Sequence, residues 1–319
     1  MLALASPASL KGVLSPSEAA AALAAGLRSV AGVEAREAPV ADGGEGTAAV
    51  LEAALGGEWR QASVSDPLGR PVHASWLLLD DGTAVVEVAA AVGLPLVDPD
   101  DLDPLAASTR GLGELIVEVL AAEPSALIVC LGGTATVDGG ADMREVVGDR
   151  LQAIPVRAAC DVRNPLLGER GAARVFGPQK GADASGVAEL ERRLAAMSEL
   201  TPFRNVRGAG AGGGLGAAFA ALGAELVEGA ELVLDVIGFD ALADGATLVI
   251  TGEGSVDATT FEGKAPGAVV DHCRRLGVRC ELFGGIVESG IDAHALSGQP
   301  EQAASDLERL AARLAGESF

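Results

Sequence analysis

Residues 247–283 read TLVITGEGSVDATTFEGKAPGAVVDHCRRLGVRCELF, and their pattern decides the fold class. An apolar run over 247–251 enters a loop of glycines and carboxylates, an Ala- and Val-rich helical stretch follows over 265–276, and a second apolar run closes the segment over 279–283. Strand, loop, helix and strand in that order make a βαβ unit, whose two strands run parallel. The rhythm recurs toward the N-terminus. Strands are predicted over 2–5, 33–40 and 126–131, and helices over 46–55, 111–122 and 302–314. A further helix is predicted to start at Ser15 or Ser17, where Glu18 can complete a capping box. Five parallel strands with crossover helices predict an α/β domain, a flavodoxin-like or Rossmann-like parallel sheet.

Two stretches break the rhythm. Residues 58–104 alternate apolar and polar positions between turns at DPLGRP and DDGT, while 150–237 mix short strands, a charged helix and a Gly-rich loop. A chain of 319 residues also exceeds the roughly 250–300 at which a single core stops growing. The expectation is therefore a flavodoxin-like domain from 1–57, 105–149 and 238–319, with a second α/β domain from 58–104 and 150–237 inserted into it.

Composition narrows the function classes. Forty-five acids against twenty-three Lys and Arg give a formal charge of −22, which opposes broad contact with nucleic acid or an anionic membrane. Aromatic residues are 3% of the chain, so platforms for stacking bases are scarce. Cys130, Cys160, Cys273 and Cys280 show no close CxxC pairing and read as reduced, buried thiols. MLALASPAS has neither the basic nor the long apolar region of a signal peptide, and no apolar run reaches the ~18 residues of a membrane span. The expected setting is the cytoplasm, and the expected partners are small molecules.

In an open parallel sheet, ligands bind beyond the carboxyl ends of the strands. The loops predicted there carry Lys11 after the first strand, Asp42, Gly43, Gly44 and Glu45 after the second, Gly132, Gly133, Thr134 and Asp138 after the third, and Glu253 and Asp257 after the fourth. Singly, each has a plain structural explanation: Asp42 can cap a helix, Lys11 can be a solvated surface lysine, and the glycine pairs can serve tight turns. Their convergence on one sheet edge favours chemistry. GAGAGGGLG contains GxGxxG at Gly208, Gly210 and Gly213, but no buried strand precedes it, so the dinucleotide fingerprint fails; its amides can still cradle an anion at a helix start. Gly263 and Lys264 resemble the end of a P-loop, yet Ala258 and Ala265 stand where a glycine and a hydroxyl are required. With no HExxH and no GxSxG, zinc and serine hydrolysis drop out. An acidic, Gly-rich, Lys-bearing edge suits phosphoryl transfer, with Mg²⁺ on carboxylates, phosphates on amides and Lys, and a carboxylate to accept a hydroxyl proton.

The blocks SLKGVLSPSEAA, PVADGGEGT, DPLGRPV, EVAAAVGL, LGGTATVDGGADM, DVRNPLLGERGAARVFGPQKGA, GAGAGGGLGAA and VITGEGSVDATTFEGK follow one another in order. Together they resemble the type I bacterial glycerate kinases, over nearly all the chain to about residue 286. The resemblance implies a two-domain α/β kinase that binds ATP, Mg²⁺ and D-glycerate in a cleft and makes phosphoglycerate, the 2-phospho product favoured. It also implies functional positions at Lys11, Asp42, Glu45, Asp138, Asp161, Asn164, Gln179, Lys180, Glu253, Asp257 and Lys264. On that basis the amides of 132–140 and 208–214, with Gly210, Gly212 and Gly213 among them, hold phosphates, and Asp42, Glu45 or Glu253 hold Mg²⁺. Lys11, Lys180 or Lys264 bind the substrate carboxylate and the transferred phosphoryl, and Asp138 or Asp257 is the base. Departures stand at Ala8, where the family carries an acid, at Val92 and Val137, where it carries Ser and Asn, and at Arg110 and Thr259. Polar-to-apolar changes expected in the cleft raise two alternatives, a binding protein without turnover and a kinase for another small hydroxy acid.

Overall fold

The computed structural model describes residues 1–317 and divides them into two units. The first comprises 1–42, 49–55 and 229–317, and the second 43–48 and 56–228. Eleven strands run in chain order: β1 Leu2–Ala5, β2 Glu34–Glu37, β3 Glu58–Ser65, β4 Pro71–Leu78, β5 Thr83–Glu87, β6 Ala126–Cys130, β7 Val156–Ala159, β8 Glu225–Val227, β9 Leu248–Val256, β10 Arg279–Val287 and β11 His294–Ala295.

In the first unit all five strands are parallel, in the order β11-β10-β9-β1-β2. Alternate side chains of a strand face opposite sides of its sheet. Ala3, Ala5, Leu248 and Ile250 pack with helices Pro16–Arg28 and Ala303–Gly316, while Leu4 and Val249, pointing the other way, are equally inaccessible. Burial on both faces is the expected state of a parallel sheet. Ser15 caps its helix as anticipated: Glu18 N donates to Ser15 Oγ, and Ser15 N donates to Glu18 Oε2 at 2.8 Å.

The second unit carries a six-stranded sheet, β3-β4-β5-β6-β7-β8. β3 to β5 are antiparallel, and β5 to β8 are parallel. The DPLGRP turn is tied by Asp66 Oδ1, which accepts from Leu68 N at 2.8 Å and Arg70 N at 2.9 Å. Val86, Leu127, Val129, Leu115, Ile116 and Phe219 are central to its main core.

The α/β class holds, but the domain division is corrected. β6, expected in the first sheet, lies between β5 and β7 with Thr83 opposite Ala126 and Leu127 opposite Val156, so 105–149 belong to the second unit. Residues 229–237, expected in the inserted domain, belong to the first. An apolar strand buried on both faces reads alike in either sheet, and its partner is set by contacts far away in sequence. A two-residue strand, β11, fills the outer place in the first sheet. β9 and β10 also run longer than predicted. Gly252 makes this possible, because a Cβ there would lie 2.1 Å from Phe283 O. Among the described residues no helix is long and apolar enough to cross a membrane.

Candidate active site

The first unit gathers one cluster near the carboxyl ends of β1 and β9. Glu253 sits within the extended part of β9, 16% exposed, and accepts from Thr260 Oγ1 at 2.8 Å. Asp257 caps the short turn Ala258–Phe261 by accepting from Thr259 N at 2.8 Å. The Thr259 hydroxyl holds its carboxyl below the usual range against the opposing effect of burial, helped by the Thr259 amide and the nearby Lys264 charge. Lys264 stands at the start of helix Ala265–Leu276, with Nζ 3.6 Å from Glu253 Oε1 and 3.8 Å from Asp257 Oδ1. The ammonium is thus placed between two carboxylates without donating a close hydrogen bond to either. The exposed Lys11 follows β1, and its backbone adjoins Gly254: a Cβ on that glycine would be 3.5 Å from Lys11 N. Asp42 is half-buried at the end of a segment of the same unit.

The second unit holds a pocket of about 150 Å³ at the carboxyl edge of β6 and β7. Gly43, Gly44, Gly132, Gly133, Thr134, Lys180 and Gly212 from the sequence reading line it, as do Asp161 and Gln179. Its glycines have steric reasons. A Cβ on Gly132 would come within 3.0 Å of Gly44 Cα, and one on Gly133, where φ is +73°, would be 2.8 Å from Glu45 Oε1. Glu45 is exposed, its carboxylate lying against that turn.

Lys180 is 2% exposed and donates to Thr134 Oγ1 at 2.8 Å and to Thr136 O at 2.7 Å. Burial pulls its ammonium down to about 7, and the Asp138 charge partly offsets this. If the charged form binds an anionic ligand, kcat/KM is highest below that value and declines as pH rises through about 7, because the free enzyme loses the proton there. Lys180→Met is expected to lower kcat/KM and to remove that ionisation. A variant that keeps the same pH profile would exclude Lys180 as its source.

Asp138 occupies a different position from the one expected of a base. Thr109 N and Oγ1 donate to its Oδ2 at 2.9 and 2.6 Å, and Gly140 N donates to Oδ1 at 3.1 Å. Burial raises its pKa, and those donors act in the opposite direction. Both oxygens are engaged in holding the loop, and Asp138 does not line the pocket. Gly213 is also structural: with φ +73°, its Cβ would lie 2.0 Å from Thr136 O. Gly210 packs against Pro165 O, and Asn164 donates to Arg170 O. Val92 and Val137, 0% and 1% exposed, are embedded in two apolar cores and do not line the pocket. Ala8 alone of those three departures lies by the cluster, its amide donating to Gly252 O at 2.9 Å.

Glu87 was not distinguished in the sequence, since a single acid in EVAAAVGL resembles any strand-end residue. It accepts from Ala48 N at 2.8 Å at the start of helix Thr47–Leu55. Burial raises its pKa against the amides of Ala48, Gly46 and Thr47. The protein therefore supplies its own carboxylate to this helix N-terminus.

Among the described residues no three His, Cys, Asp or Glu side chains form a metal cage. This donor arrangement is compatible with Mg²⁺, which commonly takes one or two protein carboxylates and completes its shell with water and substrate phosphates. It does not suit an ion requiring an all-protein cage.

Known proteins resemble this chain along most of its length. The sequence profile of the glycerate kinase family matches residues 3–153 and 144–304. A glycerate 2-kinase of Escherichia coli K12 is 39% identical, covering 90% of this chain and 88% of its own. A glycerate kinase of Bacillus subtilis 168 is 41% identical, covering 82% and 78%. The crystal structure of a candidate glycerate kinase 2 from Salmonella typhimurium LT2 superposes with a TM-score of 0.90 at 33% identity, over 100% of this chain and 98% of that one.

Proposed function

The chain belongs to the glycerate kinase family, and we propose that it transfers the γ-phosphoryl group of ATP to a hydroxyl of D-glycerate, yielding 2-phosphoglycerate. Kinship to glycerate kinases over 90% of the chain carries this reading. The burial of Val92 and Val137 supports turnover over a degenerate binding role, since these replacements sit in cores and remove nothing from the pocket wall.

Roles follow from position and charge. Lys264, with Lys11 nearby, neutralises charge on the transferred phosphoryl group, and Asp257 accepts the hydroxyl proton. Phosphoryl transfer makes small demands on a base and large ones on positioning and charge, so a carboxylate held below its usual range is adequate. Glu253 would hold Mg²⁺, with Asp42 of the same unit as a further donor. When bound, Mg²⁺ offsets the negative charge of the phosphate oxygens. In the second unit, Lys180 and the amides of Gly132 to Thr134 would bind the acid's carboxylate. A cavity of about 150 Å³ is well below the roughly 300–1,000 Å³ that encloses drug-sized ligands, and so suits a three-carbon acid.

The site of phosphorylation is read directly by proton-coupled ³¹P NMR of the product. Coupling to the single methine proton is expected. Coupling to two methylene protons would instead establish the 3-phospho isomer and overturn the assigned position while leaving the kinase intact.

A further inference from the structure

The pocket of about 150 Å³ in the second unit is lined, among the described residues, by one cationic side chain, Lys180, and one carboxylate, Asp161. The two charges belong to neighbouring loops. Asp161 follows β7, while Lys180 donates to Thr134 in the loop that follows β6. β6 and β7 are parallel, with Cys130 opposite Ala159, so the two loops leave the sheet side by side. Neighbouring strands lie about 4.8 Å apart. A three-carbon acid whose carboxylate rests against the first loop is therefore long enough to reach the second with its third carbon.

A negative charge in a pocket for an anion weakens the hold on that anion. Its field is felt in the wall: burial pushes the neighbouring Cys160 thiol up to about 11, the Asp161 charge adds to this, and Arg207 opposes it. What a carboxylate offers in return is acceptance. An ionised Asp has two oxygens with about four acceptor positions and no donor. Asp161 already interacts within the protein; the remaining positions suit a ligand hydroxyl and repel a second carboxylate.

We propose that Asp161 is a specificity-determining residue of this pocket: it accepts a hydrogen bond from the hydroxyl on the third carbon of the bound acid, favouring hydroxymethyl acids and excluding dicarboxylates. The proposal rests on the reading that the pocket takes the acid with its carboxylate at Lys180. Phosphorylation at the second carbon leaves the third-carbon hydroxyl unreacted, so it serves as a handle in substrate and product alike.

Three ligands isolate that group. D-glycerate, D-lactate and hydroxymalonate share a carboxylate and an adjacent hydroxyl, and differ in carrying a hydroxymethyl group, a methyl group or a second carboxylate. Kd for each is measured by calorimetry on wild type, Asp161→Asn and Asp161→Ala, below the Lys180 value of about 7. Wild type is expected to bind D-glycerate at least about tenfold more tightly than D-lactate, and hydroxymalonate more weakly than either. In Asp161→Asn, whose amide can donate to a carboxylate, hydroxymalonate is expected to gain at least about tenfold relative to D-lactate while D-glycerate loses. Asp161→Ala is expected to bring D-glycerate and D-lactate to within about threefold of each other. D-lactate as the reference cancels any general effect of the lost charge on anion affinity.

Wild type that binds hydroxymalonate as tightly as D-glycerate overturns the proposal without any variant. So do variants of normal melting temperature that leave all three affinities unchanged or change them by one factor, the mark of a carboxylate serving only the fold. Absence of binding by all three acids overturns it together with the placement of the acid in this pocket. If the order of affinities moves with Asp161 but glycerate yields no ADP from ATP, the specificity role stands and the kinase assignment falls. Turnover of glycerate with an order that does not move sinks the role of Asp161 alone.

Discussion

Lys264→Met is expected to reduce kcat/KM at least about tenfold, corresponding to roughly 1.4 kcal/mol of lost transition-state stabilisation, with little change in thermal stability. The lysine is 35% exposed and stands 3.6 and 3.8 Å from two carboxylates, beyond the closest hydrogen-bonding range. Partly exposed ion pairs of that kind contribute little to folding. Its positive charge is instead available to a polyanionic ligand, and the loss should fall mainly on kcat if it acts where charge grows in the transition state. Glu253→Gln is expected to show the same separation of activity from stability, with a weaker response to Mg²⁺. Steady-state kinetics and melting curves on both variants check this. Full activity, or a melting temperature that falls in step with activity, would assign the pair to structure.

Gly213→Ala should produce the largest loss of stability. Its φ of +73° disfavours any side chain, and the new methyl would be driven to within 2.0 Å of Thr136 O, a backbone atom. Left-handed strain of about 1–3 kcal/mol adds to overpacking of similar size, giving a total of about 3 kcal/mol or more. For a unit of this size that corresponds to a fall in melting temperature of roughly 6–12 °C. Thr136 O also accepts from Lys180 Nζ, so displacement of this carbonyl disturbs the pocket before the unit unfolds. A variant melting within about two degrees of wild type would show that the close approach can relax cheaply.

The sequence made the βαβ rhythm, the capped helix at Ser15 and the sheet-edge loops readable because each is written within a few neighbouring residues. Strand 126–130 was recognisable as a strand, but not as a member of the second sheet, since its apolar run suits either partner. The pocket followed the same division. Gly132 and Gly133 were readable as glycines in a strand-end loop, Lys180 only through the resemblance of the VFGPQKGA block, and the structure brings them together. Asp138 reads as a candidate base through its strand-end loop and the family resemblance; only the positions of Thr109 and Gly140 reveal that its oxygens are already engaged. Val92 and Val137 read as damage to a cleft, whereas burial identifies both as core positions.

The most direct measurement of the proposed reaction is ADP formation by the purified protein from ATP and Mg²⁺, with and without D-glycerate. ADP release that requires both D-glycerate and Mg²⁺, with phosphoglycerate appearing in equal amount, is the result predicted. A folded protein that forms no glycerate-dependent ADP, or forms it only with a different hydroxy acid, would contradict the assignment.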